Sequence, residues 1–355
     1  MESCAETVRN MLRPYKERLA RTPALRDATK PPPKKAAARR KRQEPRGAQH
    51  AAPLQRRAAG QRRSETLRCR LGDAFVHARE QLANDFRKLG MEAGDTLMLH
   101  ASVRAVGEIA GGPDQIHLAL KDALTAQGTL LMYASCPRYY DEVGSGNLTK
   151  EQEAEILQKL PPFDSLTARS ARDNGALVEL FRTYPDSRVN HHVARFVVWG
   201  KQAEYLISEQ PWNYAFGLRS PLDRFLGLDG KILLLGCDHD TVTFLHYVEH
   251  VAEIPDKRIR RFRIPVLEDG RRVWREMEEF DTSGEGAHAN WPERFFAKIV
   301  DTYLCETGNP GGRVGNAMSY ILSARGLLGF ALPLMEAVAR NPRAADHLRE
   351  RKRRS

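Results

Sequence analysis

The chain has 355 residues, 41% hydrophobic and 28% charged. That is enough apolar material for one large domain or two ordinary ones, and it excludes wholesale disorder. No apolar run reaches the roughly 18 residues of a membrane-spanning helix, and the opening MESCAETVRN has no apolar signal core. The net charge of +11 is unevenly placed: residues 1–70 hold 20 basic and 6 acidic side chains, residues 340–355 hold 7 and 2, and residues 71–339 hold 29 and 37. This predicts an acidic domain over 71–339 between a basic tail at 1–70 and a second basic tail at 340–355. An argument from total charge to nucleic-acid binding therefore fails, since the tails alone carry the excess and the first has almost no aromatic residues for stacking.

Helical periodicity begins near Asp73, with Phe75, Leu82, Phe86 and Leu89 on one face and Gly90 as a stop. TLMLH (96–100) reads as a buried strand, followed by the small-residue loop ASVRAVGEIAGG (101–112). Residues 113–126 fit a helix with Pro113 in its first turn, and TLLMYAS (129–135) a second strand. Residues 137–173 are polar and irregular, with one helix near 150–160 and a turn at PPFD (161–164). A helix is expected at 175–185, strands at 194–200 and 231–236, and a helix at 241–254 capped by Asp240 or Thr241. Residues 261–278 form a hairpin turning at Asp269-Gly270, and 291–306 a helix. The β-loop-α-β order predicts a layered α/β domain with its site at the strand ends.

Several residues could carry chemistry. His191 and His192 precede a strand, where an imidazole suits a general base or simply caps a turn. His246, Glu249 and His250 spell H-x-x-E-H on one helical face, the pattern of an inverse zinc peptidase. A zinc hydrolase would need a third ligand, for which Glu278, Glu279 and Glu285 are available, and an open coordination position. The alternative is that His246 and Glu249 line an acidic pocket without metal. Five cysteines (4, 69, 136, 237 and 305) form no CxxC pair and read as free thiols in a reducing cytoplasm. Cys237 follows a strand but is trailed by Asp238 and Asp240, which would raise its pKa and spoil it as a nucleophile. Phosphate loops of the GxGxxG and GxxxxGK[ST] types are absent.

The segments GDTLMLHASVRAVGEIAGG, GTLLMYAS, PPFD, the His191 loop, SPLDRFLGLDGKILLLG, TVTFLHYVEHVAEIPDKR and EFDTSG occur in order. As a set they resemble the aminoglycoside 3-N-acetyltransferase family of antibiotic-resistance enzymes, over roughly 73–335. The resemblance implies a three-layer α/β/α sandwich, distinct from the common acetyltransferase fold. It implies acetyl transfer from acetyl-coenzyme A to the 3-amino group of the 2-deoxystreptamine ring, with no metal. It makes His191 the catalytic base, in a stretch where His192 replaces the family's usual proline and Arg195 its usual serine. The family's L-H-x-x-E helix matches Leu245 to Glu249, with His250 outside the pattern.

From this follow the expected roles. His191 takes the proton of the acceptor amine, and Glu249 either orients the imidazole or holds the amine. The coenzyme lies along His100, Ala101, Ser102, Val103 and Arg104 and near Ser135, with Thr243 or backbone N–H groups of the 101–104 loop meeting the developing oxyanion. Arg104, Lys257 or Arg258 meets the coenzyme phosphates. Asp141, Glu142, Asp164, His246, Glu249 and Asp281 bind the polycationic acceptor, steered by the negative domain. Transfer is direct, without a cysteine acyl-enzyme. The expected partners are an aminoglycoside and acetyl-coenzyme A, with neither membrane nor nucleic acid among them.

Overall fold

The computed structural model describes residues 70–71, 74–145, 147–281 and 290–350. Most of the expected basic tail at 1–70, Cys4, Cys69, Glu285 and the last five residues lie outside the described residues. The first strands, β1 (Arg70–Leu71) and β2 (Ala74–Phe75), pair antiparallel. The first helix, α1, is Arg79–Lys88 and so starts later than the periodicity suggested, at Ala78. It is followed by β3 (Thr96–Ala101), α2 (Val103–Val106), α3 (Asp114–Leu124) and β4 (Thr129–Tyr133). Next come α4 (Arg138–Glu142), α5 (Lys150–Lys159), α6 (Ala176–Thr183), β5 (Arg188–Val189) and β6 (Phe196–Gly200). Then α7 (Ala203–Ile207), α8 (Pro221–Gly227), β7 (Lys231–Leu235) and α9 (Phe244–Val251) lead to the hairpin β8 (Ile259–Glu268) and β9 (Arg271–Phe280). The chain closes with α10 (Phe295–Glu306), β10 (Gly312–Val314), β11 (Ala317–Ser323) and α11 (Ala324–Arg340).

One seven-stranded sheet runs β10-β11-β7-β3-β4-β6-β5. The central trio β7, β3 and β4 is parallel, and every other pairing is antiparallel. Because strand side chains alternate between faces, each buried run feeds two cores. Met98, Leu131, Ile232 and Leu234 pack with α8, α9, α10 and α11 on one face. Leu97, Leu99, Leu130, Met132, Leu233 and Leu235 pack with α1, α3 and α6 on the other. The result is the expected three-layer α/β/α sandwich.

Beside the sandwich, a third cluster joins the β8–β9 hairpin to the irregular region: Ile264, Val266 and Met277 pack on Cys136, Tyr140, Leu160 and Phe163. Phe163, expected in a turn, instead bridges to Val266, its N–H donating to Pro265 O at 2.8 Å. Asp269 and Gly270 turn the hairpin with φ of 49° and 74°, both left-handed, as a two-residue turn requires. Strands β10 and β11 and helix α11 lie where the sequence pattern predicts no element. The stretch expected as a tail from residue 340 docks as far as Glu350: Leu348 packs on the core, Arg349 N donates to Thr302 Oγ1 and Arg294 Nε to Glu350 Oε1.

Candidate active site

The parallel trio ends together, and its carboxyl ends open into a cleft of about 1630 Å³. This is the crevice position expected of open α/β sheets. The volume exceeds the roughly 300–1,000 Å³ usual for a single small ligand. From the end of β3 come His100, Ala101 and Ser102, from β4 Tyr133 and Ser135, and from β7 Gly236 and Cys237. Gly236 sits at φ 60°, and a Cβ there would meet the Cβ of Ala105 at 2.5 Å, so this close approach of β7 to the α2 loop needs glycine. Ser102 stitches the loop down: its N–H donates to Leu235 O at 2.9 Å, and its Oγ accepts from Ala105 N at 3.4 Å to cap α2. Ser135 is left-handed at φ 53°, held there by its N–H to Arg195 O at 3.0 Å, and its Oγ donates to Asp141 Oδ2 at 3.3 Å.

Two imidazoles lining this cleft are backed by carboxylates: His239, whose Nδ1 lies 2.7 Å from Asp301 Oδ1 and whose ring is only 15% exposed, and the more open His246 of helix α9. The N-cap of α9 is Thr243, not Asp240 or Thr241, and Thr243 makes no side-chain cap bond. Asp240 caps a different helix, accepting from Ala297 N at 2.9 Å. Thr243 and His246 both line the cleft. One turn on, Glu249 lies behind His246, only 4% exposed, with its Oε2 2.8 Å from His246 Nδ1. The His246 ring is 39% exposed. Burial alone would lower its pKa, but the bond and charge of Glu249, helped by Glu279 and Asp141, outweigh this and leave it above the ordinary 6.5. Phe216 packs against the ring at 5.3 Å and completes the wall.

His191 does not join this cleft. It is exposed, and its Nδ1 lies 2.8 Å from Ser165 Oγ. The reason lies in its loop. His192 is buried, stacked on Trp212 at 4.6 Å, its Nδ1 accepting from Ala194 N, and burial pushes its pKa down to about 4. Arg195 is also buried and donates from Nη1 to Ser165 O at 2.5 Å and Ala168 O at 2.8 Å. Arg195 thus braces the 165–168 segment and His192 anchors its own loop against Trp212, while His191 stays exposed.

Among the expected coenzyme residues, His100, Ala101, Ser102, Ser135 and Thr243 line the cleft, whereas Val103 and Arg104 are not part of its lining. His100 is pushed down to about 4 by burial, so it is a neutral wall. Lys257 is not directed to a phosphate: its Nζ donates to Glu249 O at 2.8 Å and His250 O at 3.0 Å. Among the expected acceptor residues, Asp141 and His246 line the cleft. Burial lifts the Asp141 carboxyl above its usual range, opposed by the Ser135 hydroxyl and the Arg260 charge. Glu142 pairs with Arg138 outside the cleft lining. Asp164 holds its own turn, accepting from Leu166 N at 2.9 Å and Thr167 Oγ1 at 2.6 Å. Asp281 is also outside the lining, its N–H donating to Arg258 O at 2.9 Å. Glu249 reaches the cleft only through His246. Tyr133, Phe216, Arg260 and Arg294 line it and were missed. Only Tyr133, a polar tip closing a buried strand, gave a usable signal.

A zinc centre on H-x-x-E-H finds no support in the geometry. His250 turns both ring nitrogens elsewhere, Nδ1 to His246 O at 2.7 Å and Nε2 to Glu279 Oε1 at 2.6 Å. Glu278 pairs with Arg261. Among the described residues no group of three His, Cys, Asp or Glu side chains could hold a metal. Cys237 lines the cleft, its Sγ donating to His100 O at 3.4 Å. Its thiol is pushed up to about 11, and burial rather than the neighbouring aspartates is the cause.

The family model described as aminoglycoside 3-N-acetyltransferase matches residues 98–336. The chain belongs to this family. It is therefore an acyltransferase. Aminoglycoside N(3)-acetyltransferase III of Pseudomonas aeruginosa is 39% identical over 262 residues, covering 74% of this chain and 94% of that protein. Aminoglycoside N(3)-acetyltransferase VIII of Streptomyces fradiae is 35% identical over 266 residues, covering 73% and 92%. Among solved structures, AAC-IIIb as a binary complex with CoASH superposes with a TM-score of 0.67 at 37% identity, covering 74% of this chain and 97% of that one. AAC-VIa bound to sisomicin superposes with a TM-score of 0.66 at 33% identity, covering 74% and 98%. Among the described residues no helix is long and apolar enough to cross a membrane.

Proposed function

We propose that the enzyme moves the acetyl group of acetyl-coenzyme A to the 3-amino group of the 2-deoxystreptamine ring of aminoglycoside antibiotics, with His246 rather than His191 as the base. The observation that carries the choice of base is the 2.8 Å contact between His246 Nδ1 and the buried Glu249 carboxylate, on a ring that lines the cleft. A carboxylate accepts only, so it fixes the tautomer with the proton on Nδ1 and leaves Nε2 as the acceptor. Glu249 then stabilises the imidazolium that forms as Nε2 takes a proton from the amine. It orients the base; its burial argues against a direct hold on the substrate. A pKa above 6.5 suits a base working near neutrality.

Two related structures, one with CoASH and one with sisomicin, support the two ligand classes. Acetyl-coenzyme A supplies the activated acyl group. Ala101, Ser102 and Ser135 would hold it, and the Thr243 hydroxyl, which makes no cap bond to its own helix, is the donor placed to meet a developing oxyanion. Asp141, in the same cleft, would hold an ammonium group of the acceptor. Cys237 carries no acyl group, because a thiol held near 11 is protonated at neutral pH. Acetylation removes a cation that the drug uses against RNA, which gives resistance. The unpaired Cys136, Cys237 and Cys305 support a reducing cytoplasm.

The test is a panel of aminoglycosides, kanamycin and gentamicin included, assayed by free-thiol release from acetyl-coenzyme A, with the acetylated nitrogen then located. His246→Ala is expected to lose about 10²–10⁴-fold in rate while keeping its fold. A folded His246→Ala enzyme at the wild-type rate would remove His246 from the reaction.

A further inference from the structure

Lys257 follows the catalytic helix in the stretch IPDKR, and nothing in the acyl-transfer chemistry above uses it. Its ammonium does not reach the cleft. It donates to Glu249 O at 2.8 Å and to His250 O at 3.0 Å, carbonyls of the last turn of α9. Its Nζ sits 4.3 Å from the centre of the Phe280 ring on β9.

We propose that Lys257 is a positioning residue for the acetyl transfer: its ammonium fixes the last turn of α9 and supplies the counter-charge for the buried Glu249 carboxylate that orients His246. The inference rests on the reading of His246 as the base. The geometry supports it in three ways. First, one of the two carbonyls that Lys257 grips belongs to Glu249 itself, so the bond fixes the backbone from which the carboxylate projects. Second, a carboxylate only 4% exposed is costly unless positive charge lies near it, and a cation at a helix C-terminus also opposes the negative end of the dipole. Third, most other groups facing this region are acidic or apolar, and the nearby guanidinium groups are engaged elsewhere, Arg340 on Glu336 O and Glu253 O and Arg260 beside Asp141. On α9 the facing groups are Glu249 and the His250 that pairs with Glu279 of β9. On α11 there is Glu336, on β9 Phe280, and across the cleft Asp141.

Burial draws the Lys257 ammonium down to about 8, against the pull of Glu249 and Glu336. The signs then follow. A cation beside the dyad disfavours the imidazolium, so removing it lets His246 protonate at higher pH, and the acidic limb of the activity profile moves up. As pH rises through about 8, the ammonium loses its charge and the rate declines. An arginine in its place keeps its charge throughout that range.

The experiment compares wild type, Lys257→Gln and Lys257→Arg in kcat and in kcat/KM from about pH 5.5 to 9.5, beside His246→Ala. Lys257→Gln is expected to lose about tenfold in kcat with the acceptor KM within about threefold, and to show its acidic limb at higher pH. Lys257→Arg is expected to keep most of kcat and to lack the alkaline decline. An unshifted acidic limb in folded Lys257→Gln, or a Lys257→Arg enzyme as impaired as Lys257→Gln, overturns the proposal. Should Lys257→Gln fail to fold, Lys257→Arg decides by itself: a persisting decline above about pH 8 overturns it. An active His246→Ala enzyme would instead sink the reading of the base on which this rests.

Discussion

The sharpest test of the dyad is Glu249→Gln. The substitution keeps the volume of a side chain that is 4% exposed and removes its charge, so packing is nearly unchanged. What goes is a charge-assisted bond of 2.8 Å to His246 Nδ1. Bonds of this kind are worth about 1.5–3 kcal/mol, and about 1.4 kcal/mol is a factor of ten, so kcat should fall by roughly 10- to 150-fold. The loss is sharper if the amide donates to Nδ1, because the ring then carries its proton on Nε2 and no longer accepts. The pH profile has a definite sign. Glu249 is the chief partner raising the His246 pKa, so its neutralisation moves the acidic limb to lower pH while the plateau drops. The assay is initial thiol release at saturating acetyl-coenzyme A, with kcat and acceptor KM separated across pH. The reasoning is refuted by a folded Glu249→Gln enzyme whose kcat lies within about twofold of wild type and whose limb has not moved. A raised acceptor KM with unchanged kcat would make Glu249 a substrate ligand instead.

His191→Ala should keep near-wild-type kcat, since the change removes only an exposed ring and its bond to Ser165, worth about 1 kcal/mol of stability. A folded but inactive His191→Ala enzyme would return the base to that loop. Cys237→Ser should stay within a few-fold of wild type, because the thiol is held near 11 and its bond to His100 O can be made by a hydroxyl. Trapping a thioester on Cys237 by mass spectrometry would revive covalent transfer.

Much of the fold was legible because burial on both faces writes itself into a strand. The runs at Thr96–Ala101, Thr129–Tyr133 and Lys231–Leu235 each hold at least three consecutive buried apolar residues, and they became the parallel centre of the sheet. The closing elements were not legible. Helix α11 carries Gly326, Gly329 and Pro333, residues that argue against a helix locally. It forms because Leu327, Leu328, Leu332, Met335 and Val338 are buried against α9 and α10, and packing outweighs propensity. Strand β11 is one partly open strand of the sheet, and it shows its register only when laid against β7.

The sequence by itself determined the layered architecture, the family and the sharing of one helical face by His246 and Glu249, because helical periodicity places residues three apart on one face whatever surrounds them. The resemblance pointed to His191 as the base and left His246 on the wall of the acceptor pocket. The tertiary structure sets where each ring lies. The loop of His191 holds the buried His192 and Arg195 and leaves the first imidazole exposed, while α9 delivers the second into the opening where three parallel strands end. Chain order carries no information about which side of a loop meets solvent; only the packing of its neighbours decides that.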